Sequence, residues 1–122
     1  MADASDAMRD QAITTLDDFI EALTDARGDL HEIQSALEAN RRHLVGGGRA
    51  NDMTALFDLP SLRLTLTERL DRIERARMEC RRALWRLQVS EGATIAEIAR
   101  EWGLSRQLVS RALSNDSSKI SS

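Results

Sequence analysis

Aromatic side chains are scarce: two tryptophans, two phenylalanines and no tyrosine amount to 3% of the 122 residues. So few large rings imply a thin core, of the kind that often needs a partner chain to complete it. Only one proline is present, so little in the chain interrupts a helix. A single cysteine, Cys80, excludes an intramolecular disulfide, and nothing points to an oxidising compartment. No apolar run approaches the roughly 20 residues that span a bilayer, so no membrane partner is expected. The acidic residues 1–10 lack the apolar centre of a signal peptide. From these absences the expected location is the cytoplasm.

What is abundant is leucine, alanine, arginine, glutamate and aspartate, a composition whose intrinsic preference is helical. Sixteen of the seventeen basic residues are arginine, a bias that fits a GC-rich genome better than a function. The net charge of −3 conceals an asymmetry. Residues 1–60 carry twelve acidic and five basic side chains, a net of −7, whereas residues 61–122 carry eight and twelve, a net of +4. A polyanion would approach the second half and be repelled by the first, because the local field at a docking face matters more than the total. The same charges also suit solvated helix faces. The acidic half is a candidate surface for a protein partner.

Residues 1–45 read as a self-association segment, helical from about residue 7. Ala12, Leu16, Phe19, Leu23, Ala26, Leu30, Ile33, Leu37, Asn40 and Leu44 recur in alternating steps of four and three, with leucine at every seventh position from Leu16. Ile13, Ile20, Ala22 and Ala36 widen the stripe beyond a two-stranded seam and favour a bundle. Gly28 leaves two readings open. The helix tolerates it, or it breaks there and restarts at Asp29, where Asp29-Leu-His-Glu32 resembles a capping box. Residues 46–59 read as a glycine-rich linker, opened by Gly46-Gly47-Gly48 and closed by a short apolar turn. Residues 60–91 form a second long helix, with Pro60 in its first turn. Its expected buried stripe is Leu62, Leu66, Leu70, Ile73, Cys80, Leu84 and Leu87, with Ala76 and Ala83 beside it. Arg77 breaks that stripe, and Arg69, Arg72, Arg75, Arg81, Arg82 and Arg86 are assigned to the outer face. Cys80 reads as a small core hydrophobe. Residues 115–122 have too little apolar content to fold and are expected to be a disordered tail.

The segment 92–114 carries the most information. Thr94 followed by Glu97 is a capping box that opens a short helix with Ile95, Ile98, Ala99 and Trp102 facing inward. Gly103 sits where the chain must leave that helix with positive φ, Leu104 anchors the turn, and Ser105 caps a second helix. Leu108, Val109, Ala112 and Leu113 are the expected buried face of that helix. Two helices crossing steeply through so short a turn need a small residue at their contact, which Ala99 supplies.

The residues Thr94-Ile-Ala-Glu-Ile-Ala-Arg100, Gly103-Leu-Ser-Arg106 and Val109 resemble the helix-turn-helix of the repressor and recombinase superfamily. They are most similar to the C-terminal DNA-binding domain of Hin- and resolvase-type serine recombinases. The resemblance covers about twenty residues of the chain and implies double-stranded DNA as partner. It does not extend to recombinase activity, since residues 1–90 read as helices rather than as an α/β catalytic domain. The whole is therefore expected to be all-α: long N-terminal helices, as a hairpin or a coiled-coil-like arm, followed by a helix-turn-helix.

Residues facing outward near the start of the second short helix would meet base edges: Ser105, Arg106, Gln107, Ser110 and Arg111. Arginine pairs bidentately with guanine and glutamine with adenine, which makes Arg106 and Gln107 the leading sequence readers. Thr94 and Arg100 are candidate phosphate contacts. Solvated surface is the plainer reading of the arginines on the preceding helix. That helix also supports the pair, through Leu84 and Leu87, with Trp85 as a further candidate. A homodimer through the N-terminal helices would hold two such heads for half-sites about one DNA turn apart. Parallel and antiparallel arms both remain open.

No metal site is expected, since His31 and His43 stand apart with no cysteine nearby. Gly46-Gly47-Gly48 is not a phosphate-binding loop, no cofactor is implied, and the carboxylates form no acid–base pair, so the chain does not read as an enzyme. The expectation is a nucleoid-associated, dimeric transcriptional regulator that binds specific DNA sequences. Its alternatives are an architectural or partition protein of low specificity, and a helical protein–protein adaptor.

Overall fold

The computed structural model describes residues 4–56 and 58–121, with the side chains of residues 4–55 and 58–114. Among these residues every regular element is helical. Helix α1 spans Ala4–Val45, a short 3₁₀ turn covers Ala50–Asp52, and α2 spans Met53–Leu56. Helix α3 spans Leu59–Ser90, α4 Ile95–Trp102 and α5 Arg106–Ser121. None of the described helices is long and apolar enough to cross a membrane.

Helix α1 passes through Gly28 without a break. A glycine in mid-helix costs about 1 kcal/mol, which the long flanking turns outweigh because each adds a hydrogen bond once the helix exists. The helix stops at the glycine run, where Gly47 donates to the Leu44 carbonyl and Gly48 to the His43 carbonyl at 3.0 and 2.8 Å. The His43 ring then lies across Gly48, where a side chain would displace it, and its Nε2 sits 2.8 Å from the Arg49 carbonyl oxygen. Helix α3 starts behind Asp58, whose carboxylate accepts from the Ser61 amide at 3.3 Å and from its hydroxyl at 2.7 Å. These bonds hold the Asp58 carboxyl below its usual range. Pro60 falls in the first turn, as its missing N–H favours.

The chain forms two compact units, one of residues 19–75 and the other of residues up to 18 together with those from 76 onward. The first is built from α1 and α3. On α1 its buried positions are Ala22, Ala26, Ile33, Ala36 and Asn40, mostly small residues. This is a different track from the leucine stripe. Leu23, Leu30, Leu37 and Leu44 are 43%, 38%, 52% and 47% exposed. The expected stripe is therefore split: its Ala26, Ile33 and Asn40 positions are buried, while its leucines stand at the rim. On α3, Leu70 is likewise corrected from core to surface at 52% exposure. Arg69 and Arg72, expected on the outer face, instead reach α1, where Arg69 pairs with Asp29 and Arg72 with Asp25, the latter at 2.8 Å. The Asn40 amide nitrogen donates to the Ala36 carbonyl at 2.9 Å, while its Oδ1 is buried without a hydrogen-bond partner.

The other unit holds the larger buried side chains. Trp85, Ile98, Ala99 and Val109 form one cluster, with Ala93, Ile95, Leu104, Ala112 and Leu113 packed around it. Cys80 and Ala83 of α3 and Ala12 and Thr15 of α1 are buried in the same unit. Burial pushes the Cys80 thiol above its usual value, against a weaker opposing hydrogen bond with Thr15. At the far end of α3, Arg9 bonds Glu91 at 2.8 Å. The backbone of α5 continues as helix to Ser121, past Ser114, where composition argues for a disordered tail. Once a helix is nucleated, each further residue adds a hydrogen bond at modest cost even for serine and asparagine. Ser122 lies outside the described residues.

A methyl group built at Gly28 meets no atom within contact distance. Gly28→Ala is therefore expected to raise the unfolding free energy by about 0.5–1 kcal/mol through helix propensity and the unfolded chain. Denaturant titration followed by circular dichroism measures it.

Candidate functional site

The sequence between α3 and α5 specifies its geometry through local hydrogen bonds. Thr94 is extended, with φ −92° and ψ 160°, and caps α4. Its hydroxyl oxygen accepts from the Glu97 amide, while the Thr94 amide donates to the Glu97 carboxylate, both at 3.1 Å. The backbone bond from Thr94 is the main reason the Glu97 carboxyl lies below its usual range, with the Thr94 hydroxyl and Arg100 adding to it. Helix α4 ends at Gly103, which is left-handed with φ 67° and ψ 33°. There the Leu104 amide returns to the Ala99 carbonyl at 2.9 Å and the Gly103 amide to Arg100 at 3.3 Å. A residue with a Cβ is strained in that conformation. Ser105 then caps α5, its hydroxyl accepting from the Leu108 amide at 3.0 Å. Three residues thus reverse the chain between two helices, and each has a bonding or conformational reason.

Packing fixes the pair against α3. Trp85 is fully buried, and its ring meets the Trp102 ring edge-on at 5.6 Å and 88°. Such T-shaped pairs contribute about 0.5–1.5 kcal/mol beyond area burial. Ile98, Ala99 and Val109 close on the Trp85 side chain from α4 and α5. The expected support from Leu84 and Leu87 is therefore secondary, both being only partly buried, and Trp85 is the centre. Two inward assignments are corrected: Trp102 is 40% and Leu108 36% exposed. Trp102 meets Trp85 edge-on, and Leu108 lines the pocket it shares with Gln107 and Arg111.

The candidate contact residues all lie at the surface. Arg106, Gln107, Ser110 and Arg111 are exposed along the first turns of α5, and Ser105 is exposed at its cap. Thr94 and Arg100 are exposed on α4, with the Thr94 oxygen already engaged as a cap. The seven do not form one cluster. Ser105, Gln107 and Arg111 share a concave pocket of about 390 Å³ with Arg81 and Arg82 of α3, whereas Arg106, Ser110, Thr94 and Arg100 lie outside it.

Arg81 and Arg82 are the residues that sequence reasoning left as solvated surface. The Arg81 guanidinium sits 4.8 Å from the centre of the Trp85 ring, and Arg82 Nε donates to the Ala112 carbonyl at 3.0 Å. The four-residue step from Arg81 to Trp85 on one helix face was the available signal. Burial, and to a lesser degree the nearby Arg82 charge, lower the Arg86 pKa. Between residues 76 and 114 the chain carries seven arginines and four glutamates, a net of +3. The arrangement can therefore offer several guanidinium and amide donors to an anionic or hydrogen-bonding surface. Among the described residues, no group of histidine, cysteine, aspartate and glutamate side chains converges to hold a metal ion. Comparison with protein-family models, with curated proteins and with solved structures finds no match.

Gly103→Val is expected to cost about 1–2 kcal/mol by forcing a β-branched residue into the left-handed region, and the loss is measurable by thermal unfolding. The lowered Glu97 pKa carries its own sign. Its contribution to stability is present in full above the unfolded carboxyl value near pH 4.3 and fades as pH falls through the lower folded value. The midpoint difference between wild type and Glu97→Gln should hold steady from neutrality to about pH 5 and shrink below about pH 4.

Proposed function

We propose that the protein is a cytoplasmic, sequence-specific double-stranded DNA-binding protein, a transcriptional regulator in which α4 and α5 act as a helix-turn-helix. In this reading α5 enters the major groove. One observation carries it. The start of α5, capped by Ser105 and held on Trp85, presents Arg106, Gln107, Ser110 and Arg111 together at the surface. Exposed polar side chains are ordinary on a helix surface; what supports the reading is that these four stand at the start of the second of two short capped helices. Arg106 and Gln107 read base edges, while Ser110 and Arg111 reach bases or phosphates. Ser105 likewise reaches bases or phosphates, and Thr94 and Arg100 contact the backbone, with register rather than sequence as their contribution.

A second reading is favoured by one feature of the same surface. Arg81, Arg82 and Arg111 crowd a single pocket, which would suit phosphate contacts without base readout, as in an architectural or partition protein.

Selection of bound duplexes from a random pool separates the two. The specific reading expects an enriched motif. It also expects Arg106→Ala and Gln107→Ala each to weaken binding to that motif by about tenfold to a hundredfold while circular dichroism stays unchanged. Binding with no enrichment, lost smoothly with salt and indifferent to Gln107, would replace the specific reading with the architectural one.

A further inference from the structure

Arg81 and Arg82 of α3 and Arg111 of α5 are the ionised residues around the pocket of about 390 Å³, and among the described residues no carboxylate lines it. Ser105 and Gln107 add polar wall at the start of α5. We infer that this pocket is a phosphate-binding site, and that its ligand is a backbone phosphodiester of the duplex lying on α5, held by Arg81 and Arg111. The inference rests on the DNA-binding reading, in its specific or its architectural form, and brings a third helix, α3, into the interface.

Both walls of the pocket are fixed. Arg82 Nε donates to the Ala112 carbonyl at 3.0 Å, which ties α3 to α5 across it. The Arg81 guanidinium stands 4.8 Å from the centre of the fully buried Trp85 ring, a contact that sets where this charge stands without neutralising it. Three guanidinium groups around one cavity repel one another, and an anion among them turns that repulsion into attraction. Ser105 caps α5 beside them, so the positive end of the α5 dipole adds to the same field. Planar guanidinium forks match the spacing of phosphate oxygens, which makes phosphate the anion of choice.

Size and shared residues select a nucleic-acid backbone over a free ion. The pocket is roomier than a lone phosphate needs, whereas a phosphate with its adjoining deoxyribose fills more of it. Met78 and Leu108 of its lining, 42% and 36% exposed, offer that sugar apolar contact. Ser105, Gln107 and Arg111 line the pocket and also belong to the exposed start of α5. A duplex whose major groove receives α5 therefore carries one of its flanking backbones over the pocket. Arg81 then contributes affinity and register, not sequence.

Salt dependence of binding tests the proposal, measured on the full chain with a selected duplex and with one of random sequence. Arg81→Gln is expected to weaken both by about tenfold and to lower the slope of log affinity against log salt by about 0.9, the share of one phosphate. Arg81→Lys keeps the charge and should keep the slope. In parallel, the arginine Nε–H signals of wild type are followed by NMR as duplex or inorganic phosphate is added. Duplex should move Arg81 and Arg111, while Arg49, exposed and outside the pocket, stays in place. An unchanged slope in a folded Arg81→Gln variant overturns the site and leaves the DNA reading standing. A loss confined to the selected duplex overturns the phosphate role and makes Arg81 a base reader. Should Arg81→Gln unfold, the duplex titration decides: Arg106 moving while Arg81 stays still overturns the proposal. Phosphate that moves Arg81 and Arg111 in a protein that binds no duplex overturns the backbone as ligand, and the DNA reading with it, and leaves a site for free phosphate. If neither ligand moves Arg81, the site itself is overturned.

Discussion

The indole of Trp85 is the contact on which the C-terminal part of the structure depends. With only four phenylalanine and tryptophan residues in the chain, this unit has few ways to bury a large area. It places one ring of α3 where two further helices reach it. Ile98 and Ala99 come from α4, Val109 from α5, and Trp102 supplies the edge of a second ring. Helices of eight residues, such as α4, are marginal in isolation, so their stability must come from packing. The capping box, the left-handed glycine and the serine cap set directions for the chain. Trp85 turns those directions into a fixed pair of helices by removing apolar surface from water.

The caps and turns of residues 94–105 were legible because each is a local device. A threonine three residues before a glutamate, and a glycine before Leu-Ser, state their hydrogen bonds without reference to the rest of the chain. The long helices were legible as helices for the same reason, and their boundaries came within a few residues. Which face each turns inward was not legible. On α1 the stripe that steps by three and four splits lengthwise: Ala26 and Ile33 turn inward together with the neighbouring Ala22 and Ala36, while Leu23, Leu30 and Leu37, seven residues apart, stand at the rim. Hydrophobicity favours the leucine track, but the small residues are the ones buried beside α3. A neighbour's side chains decide that choice, and no single-helix pattern contains them.

Misassignment of the arginines has a related cause. A long guanidinium arm on a helix rim can lie along a neighbour instead of pointing to water, because its methylene stem is apolar and only its tip is charged. Arg69 and Arg72 do so toward Asp29 and Asp25, and Arg82 does so toward the Ala112 carbonyl. The candidate surface inherits its shape from this behaviour. Seven positions could be named from the register of α4 and α5, yet the pocket that joins three of them is finished by Arg81 and Arg82 from a different helix. Helical periodicity locates residues on a face; it says nothing about what the face will meet.

Cys80 is the chain's one thiol, buried and with its ionisation disfavoured. Thiolate is the species that oxidants and alkylating reagents attack, so this sulfur is a slow target on two counts. Thiol oxidants and alkylating reagents therefore have little hold on the folded protein through this residue. A cysteine introduced elsewhere on its surface would be, in chemical practice, the only one it has.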